Sequence, residues 1–245
     1  MTAVPTAGQL AVAAAAGPSP LWYATRATGV VALVLLTLTV ALGVAGSVRY
    51  EAPALPRLIR AGLHRNISLL AVAFVAAHVV TTVLDSYTSI SLASALVPFT
   101  SSYRPLWLGL GAIASDLLLA LIVTSLLRSR LSQRTWRSVH MLAYASWPIA
   151  LWHGLGTGTD ARLPWLLALE AVCLLTVAGA VCWRLSLARP GAPRTLGLTA
   201  TALVAIASVT FAAVGPLQPG WSSRAGTPRA AVGDLPSLAA GGAPR

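Results

Sequence analysis

Six long runs of apolar residues, separated by short loops that carry arginine, constrain this chain more than any other feature. A helix of about 20 residues crosses the hydrocarbon core of a bilayer, and helices satisfy their own backbone in lipid. Only 9% of the residues are charged and 56% are hydrophobic, which excludes a soluble enzyme. The sequence therefore predicts an all-α, polytopic membrane protein with a six-helix transmembrane bundle. The runs are 28–48, 63–84, 106–127, 139–155, 165–185 and 195–214.

The chain divides into three parts on this pattern. Residues 1–22 form an extracytoplasmic N-terminal segment, and residues 23–214 form the six-helix transmembrane domain. Residues 215–245 are rich in Gly, Pro, Ser and Ala and have no apolar period, so we expect a flexible extracytoplasmic tail.

The basic residues set the expected orientation. All 17 are arginines, and eleven of them lie in or beside the first, third and fifth loops. Cytoplasmic loops carry the excess of positive charge, so both termini are predicted outside a multi-pass plasma membrane protein. The net charge of +11 does not indicate a nucleic acid partner, because the arginines occupy short loops where topology requires them.

The four histidines all lie in two of the runs. His64 and His78 are on the second helix, and His140 and His153 are on the fourth. These helices are separated by one other and run parallel, so both begin on the cytoplasmic side. The spacings of 14 and 13 residues correspond to about 21 and 20 Å along a helix. The sequence therefore predicts an inner level with His64 and His140, and an outer level with His78 and His153.

Two imidazoles that face each other across a bundle suit a haem iron with both axial positions filled. Zinc needs four ligands that converge on one ion, and two separate levels do not provide them. A spacing of 14 returns to nearly the same helix face, whereas a spacing of 13 is about 140° away. Pro148 lies between His140 and His153 and can kink or rephase the fourth helix.

The pattern His-x13-His on one helix and His-x12-His two helices later resembles the ferric reductase-like transmembrane domain superfamily. This superfamily includes ferric reductases, the membrane half of NADPH oxidases, and the haem-binding membrane subunit of a periplasmic methionine sulfoxide reductase system. The resemblance covers about residues 60–187 and implies two haem b groups with the same histidine pairing. Three local strings support it: Leu63-His64-Arg65, Trp136-Arg137-Ser138-Val139-His140 and Trp152-His153.

The sequence contains no strand–Gly-rich loop–helix unit with G-x-G-x-x-G, which ferric reductases and NADPH oxidases need for nicotinamide chemistry. We therefore expect an oxidoreductase membrane subunit that takes electrons from a separate flavoprotein or quinol. The expected acceptor is ferric iron or an extracytoplasmic redox partner. Flavin binding by this chain is left open.

Other polar residues are candidates for supporting roles. Arg65 and Arg137, beside the inner histidines, are candidates for binding haem propionates, although positive-inside topology alone explains such residues. Arg26, Arg104 and Arg162 are the corresponding outer candidates. Two carboxylates, Asp116 and Glu170, fall inside apolar runs. Proton uptake and a structural hydrogen bond remain open for both.

Two functions of another class remain open on the sequence. One is a non-redox membrane scaffold, and the other is a proton or metal transporter, with histidines that are structural in either case. Both predict a protein that binds no haem. The sequence shows no inverted repeat and no pair of broken helices, which disfavours a transporter.

Overall fold

The structure, a computed structural model, describes residues 19–48, 56–85, 90–157 and 160–221. All regular secondary structure in these ranges is helical. The helices are α1 (Pro20–Ser47), α2 (Arg57–Leu84), α3 (Leu92–Leu96), α4 (Pro105–Leu126), α5 (Gln133–His140), α6 (Ala143–Thr157), α7 (Pro164–Ser186) and α8 (Ala192–Val214).

Five of these helices, α1, α2, α4, α7 and α8, are long and apolar enough to cross a membrane. The all-α, multi-span prediction is therefore confirmed, but six equal spans are not found in the described residues. The fourth predicted run is instead divided between α5 and α6. At 15 residues, α6 is about 22 Å long, shorter than a hydrocarbon core of about 30 Å.

Helix starts are set by caps that the apolar runs do not contain. The Ser19 side chain accepts a 3.0 Å hydrogen bond from the backbone N–H of Trp22, and Pro20 follows in the first turn. Proline also occupies the first turn of α4, α7 and α8, where its missing N–H costs nothing. For this reason α1 begins at Pro20, whereas the sequence places its apolar run at 28.

The junction between α5 and α6 is a tight turn at Met141 and Leu142. The N–H of Leu142 donates to Val139, and the N–H of Ala145 donates to Leu142, both at 2.9 Å. These three-residue bonds wind the chain more tightly than an α-helix, about 120° per residue instead of 100°. The added rotation has the direction needed to bring a spacing of 13 back toward one face.

Helix α6 packs against α1, α4 and α8. The Trp147 indole donates a 2.9 Å hydrogen bond to the Thr37 hydroxyl on α1, and the Trp152 indole donates a 2.8 Å bond to Ser208 on α8. These bonds fix the depth and rotation of α6, which carries His153. The buried core at this junction contains Trp147, Leu151, Leu155, Cys173 and Val177.

The chain stays packed beyond the end of α8. The Trp221 ring lies 5.7 Å from the rings of both Trp107 and Phe211. The tail predicted to be flexible from residue 215 is thus in contact with the bundle as far as Trp221. The remainder of that tail, 222–245, and residues 1–18 of the N-terminal segment lie outside the described residues.

Candidate haem-ligating site

The four histidine rings meet in two pairs. The ring centres of His64 and His140 are 6.4 Å apart, at an interplanar angle of 68°. Those of His78 and His153 are 6.0 Å apart, at 82°. We call these the inner pair and the outer pair, after the predicted orientation. The structure brings together the same rings that depth and resemblance associate, and their role as haem ligands stays a prediction.

The separation of the rings suits one metal ion between them. A metal–imidazole bond is about 2 Å and the ring centre lies about 1.1 Å further on, so two opposed ligands have ring centres about 6 Å apart. Both pairs have this separation. In the described part of the chain, no group of three or more His, Cys, Asp or Glu side chains converges. This donor set suits an iron whose other ligands come from a macrocycle better than tetrahedral zinc.

Three of the rings are oriented by backbone carbonyl groups. A carbonyl oxygen only accepts, so each of these rings carries its proton on Nδ1 and presents the Nε2 lone pair. Such bonds are usual for metal-ligating histidines, since they fix the tautomer and raise the basicity of the ligand. The bonds run from His64 to Thr39 (3.0 Å), from His78 to Thr25 (2.8 Å) and from His153 to Trp107 (2.8 Å).

A glycine lies beside each of these three rings. A Cβ atom on Gly111 would lie 2.5 Å from Nδ1 of His153, closer than real Cβ contacts allow. Because the carbonyl of residue i in a helix points toward residue i+4, a missing Cβ at i+4 lets an imidazole reach that carbonyl from the side. Each glycine follows its acceptor by four residues: Gly29 after Thr25, Gly43 after Thr39, and Gly111 after Trp107.

The sequence carries a signal for this arrangement that the histidine spacing alone does not reveal. The string T-x-A-x-G occurs at 25–29 and again at 39–43, an interval of 14 residues. The interval equals the spacing of His64 and His78 on the neighbouring helix α2. Because α1 and α2 pack along each other in opposite directions, each string meets one histidine.

His140 is held differently from the other three. Its Nδ1 atom is buried, and within the described ranges no hydrogen-bond partner lies in reach. Its ring stacks on Trp136, with centres 4.9 Å apart and planes 20° apart. The guanidinium of Arg128 lies 4.6 Å from the centre of the Trp136 ring. Aromatic stacking therefore places His140, in contrast to the carbonyl bonds at the other rings.

A largely apolar cavity of about 240 Å³ surrounds the outer pair. His78, His153, Gly29 and Gly111 line it, together with side chains of α1, α2, α4, α6 and α7. Such a cavity, with a largely apolar lining and two opposed imidazoles, suits a flat hydrophobic macrocycle.

The family of this chain is shown by comparison with known protein families. Residues 28–151, half of the chain, match the family described as "Ferric reductase like transmembrane component". The chain belongs to this family. Comparisons with curated proteins and with solved structures gave no match. The matched range of this ferric reductase-like chain contains His64, His78 and His140, and His153 lies two residues beyond it.

On the inner side, the ferric reductase-like chain buries an arginine that is not one of the two predicted propionate partners. Arg65 and Arg137, the two predicted propionate partners, are exposed, and their role stays a prediction. Arg60 is only 4% exposed. It precedes His64 by four residues, so both lie on one face of α2. The i, i+4 spacing of Arg60 and His64 is therefore the sequence signal that could have identified this arginine.

On the outer side, the three arginines differ in their surroundings. Arg26 lines the outer cavity, and its Nε lies 2.6 Å from the Asp160 carboxylate. Arg104 is 1% exposed and donates to the carbonyls of Gly156 and Thr157, at 2.8 and 3.0 Å. It therefore stabilises the C-terminal end of α6, one turn beyond His153. Arg162 is exposed.

The two intramembrane carboxylates also differ. Asp116 is exposed on the surface of α4, away from the protein interior. Glu170 is 6% exposed and lines the outer cavity. Its Oε2 atom has no hydrogen-bond partner in the described residues. Of these two carboxylates, only Glu170 lies close to the candidate haem site.

Proposed function

We propose that this chain carries electrons across a membrane through two b-type haems. Electrons come from a separate donor, a flavoprotein or a quinol, and pass to ferric iron or an extracytoplasmic redox partner. The observation that carries the proposal is the presence of two facing imidazole pairs at two depths of one bundle. The family supports transmembrane electron transfer as the general activity.

The depths of the two pairs support a path across the bilayer. On α2, the 14 residues from His64 to His78 span about 21 Å. A hydrocarbon core is about 30 Å thick, so one pair lies toward each face. Two redox centres at these depths divide the crossing into shorter steps.

The protein's own contribution is orientation and exclusion of water. Bound haem supplies one-electron chemistry, and its protein ligands set the potential. The carbonyls of Thr25, Thr39 and Trp107 hold three imidazoles with Nε2 free. Two protein ligands at each level favour electron transfer over direct chemistry at the iron.

In the proposed topology, the chain lies in the plasma membrane with the arginine-rich loops in the cytoplasm and both termini outside. The inner pair then faces the electron donor, and the outer pair faces the acceptor. Arg26 and the cavity around the outer pair lie on the acceptor side. Asp160 offsets the charge of Arg26, but the exposed Arg162 lies on the same predicted side and attracts an anionic acceptor such as a ferric chelate.

Haem content tests the proposal first. The purified protein should show b-type bands in a reduced-minus-oxidised spectrum and about two haems per chain. His64→Ala should remove the inner haem and His78→Ala the outer one. Asn66→Ala and Val80→Ala, exposed positions on the same helix, are controls that should keep both haems. A folded, colourless protein made with haem available would favour the scaffold or transporter functions instead.

Electron transfer is then measured in vesicles. Dithionite is enclosed, and ferricyanide or a ferric chelate outside is followed by absorbance. Wild-type vesicles should reduce the external acceptor, whereas vesicles with His78→Ala should be as slow as empty ones. Equal rates for wild type and His78→Ala would contradict transfer through the outer pair.

A further inference from the structure

We propose that His140 is the one exchangeable ligand among the four histidines, so that the inner pair forms a binding site for a small neutral ligand. Carbon monoxide is the simplest ligand of this class. The inference rests on the proposed function, since it presupposes a haem between His64 and His140.

The first observation is the hydrogen bonding of the rings. An imidazole that ligates iron through Nε2 carries its proton on Nδ1. His64, His78 and His153 donate that proton to carbonyl groups. The Nδ1 of His140 is buried, and no acceptor lies in reach in the described part of the chain. The ligating tautomer of His140 therefore keeps an unsatisfied buried donor, which disfavours it.

The sequence of α4 explains why the acceptor is missing. The acceptor for His153 is Trp107, and Gly111 leaves its carbonyl accessible. The corresponding positions 14 residues later, toward the inner end, are Leu121 and Ser125. Ser125 has a side chain where the pattern requires none.

The second observation is steric. Gly29, Gly43 and Gly111 contact His78, His64 and His153 so closely that those rings have little room to rotate. No described glycine lies so close to the His140 ring that an added Cβ would contact it. Its ring stacks instead on Trp136, one turn earlier on the same short helix. A ring that is placed by stacking alone is restrained in fewer directions than one held by a hydrogen bond and a backbone wall.

The third observation is the backbone position. His140 is the last residue of α5, and the tight turn at Met141 and Leu142 follows it. The other three histidines lie inside α2 and α6. Helix ends open locally at lower free energy than helix interiors. A displacement of His140 from iron therefore requires movement only at the junction of two helices.

Carbon monoxide binding to the dithionite-reduced holoprotein tests the inference, after the haem count has established two bis-histidine haems. About half of the haem should form a carbon monoxide complex, since only the inner level exchanges a ligand. In His78→Ala, which keeps only the inner haem, nearly all the remaining haem should react. The double variant His64→Ala/His140→Ala, which keeps only the outer haem, should not react.

Two outcomes overturn the inference while leaving the proposed function intact. One is a wild-type protein with two haems, neither of which binds carbon monoxide. The other is a reaction at the outer haem, shown by carbon monoxide binding in His64→Ala/His140→Ala. A protein without haem overturns the inference and the proposed function together, so the two failures are distinguished by the haem count. All these readouts are spectroscopic and need no electron donor partner.

Discussion

The Nδ1 atom of His153 donates a 2.8 Å hydrogen bond to the carbonyl oxygen of Trp107. This single bond connects α6 to α4 and sets the tautomer of the ring. Its geometry depends on Gly111, since a methyl group at that position would occupy the space of the imidazole. The histidines and the glycines of the neighbouring helices therefore form one unit.

Gly111→Ala should displace His153 and remove or weaken the outer haem. The added Cβ would lie 2.5 Å from Nδ1, so the His153 ring would have to move. Haem content should fall by about half while the inner haem remains. Gly179→Ala is the matched control, because a Cβ there meets nothing within 4 Å. Equal loss of haem in both variants would mean that general misfolding, not the contact with His153, is responsible.

Substitutions on α1 should separate the two levels. Gly29→Ala brings a Cβ to 3.0 Å from the His78 ring, and Gly43→Ala brings one to 3.3 Å from His64. We expect the first to perturb the outer haem strongly and the second to perturb the inner haem more mildly. Redox titration of the b-type bands measures this. Gly46→Ala, on the same helix and free of such contacts, should leave both potentials unchanged.

Arg60→Gln should weaken the inner haem more than Arg65→Gln. Arg60 is 4% exposed on the face of α2 that carries His64, whereas Arg65 is exposed. A buried guanidinium beside an anionic propionate gains a stronger charge-assisted hydrogen bond than a solvated one. Rates of haem transfer to excess apomyoglobin compare the two variants. A faster loss in Arg65→Gln than in Arg60→Gln would restore the assignment predicted from sequence.

Arg104→Ala should lower thermal stability and loosen the outer site. Its guanidinium donates to two carbonyls at the end of α6, and bonds from a charged donor are worth about 1.5–3 kcal/mol each. The melting temperature, followed by circular dichroism in detergent, should fall by several degrees. Arg162→Ala, an exposed arginine on the same predicted side, should change it little. A melting temperature for Arg104→Ala equal to that of wild type would contradict the capping role.

Hydropathy and charge in the sequence were sufficient to predict a helical membrane protein, because the bilayer allows few alternatives. They did not predict the fourth span correctly. The apolar run at 139–155 is continuous in composition, but the structure breaks it at Met141 and Leu142 and joins α5 to α6 there. Hydropathy averages over a window and does not detect a turn of two residues whose side chains are themselves apolar.

The sequence by itself determined the depth of each histidine, because position along a helix fixes depth at about 1.5 Å per residue. Rotation about the helix axis was decided only by the tertiary structure. The tight turn before α6 and the bonds from Trp147 and Trp152 together turn His153 toward His78, although a spacing of 13 alone points it elsewhere. The Nδ1 acceptors were also decided there, since each is a carbonyl on a neighbouring helix. Every residue has such a carbonyl, and only packing determines which one an imidazole meets.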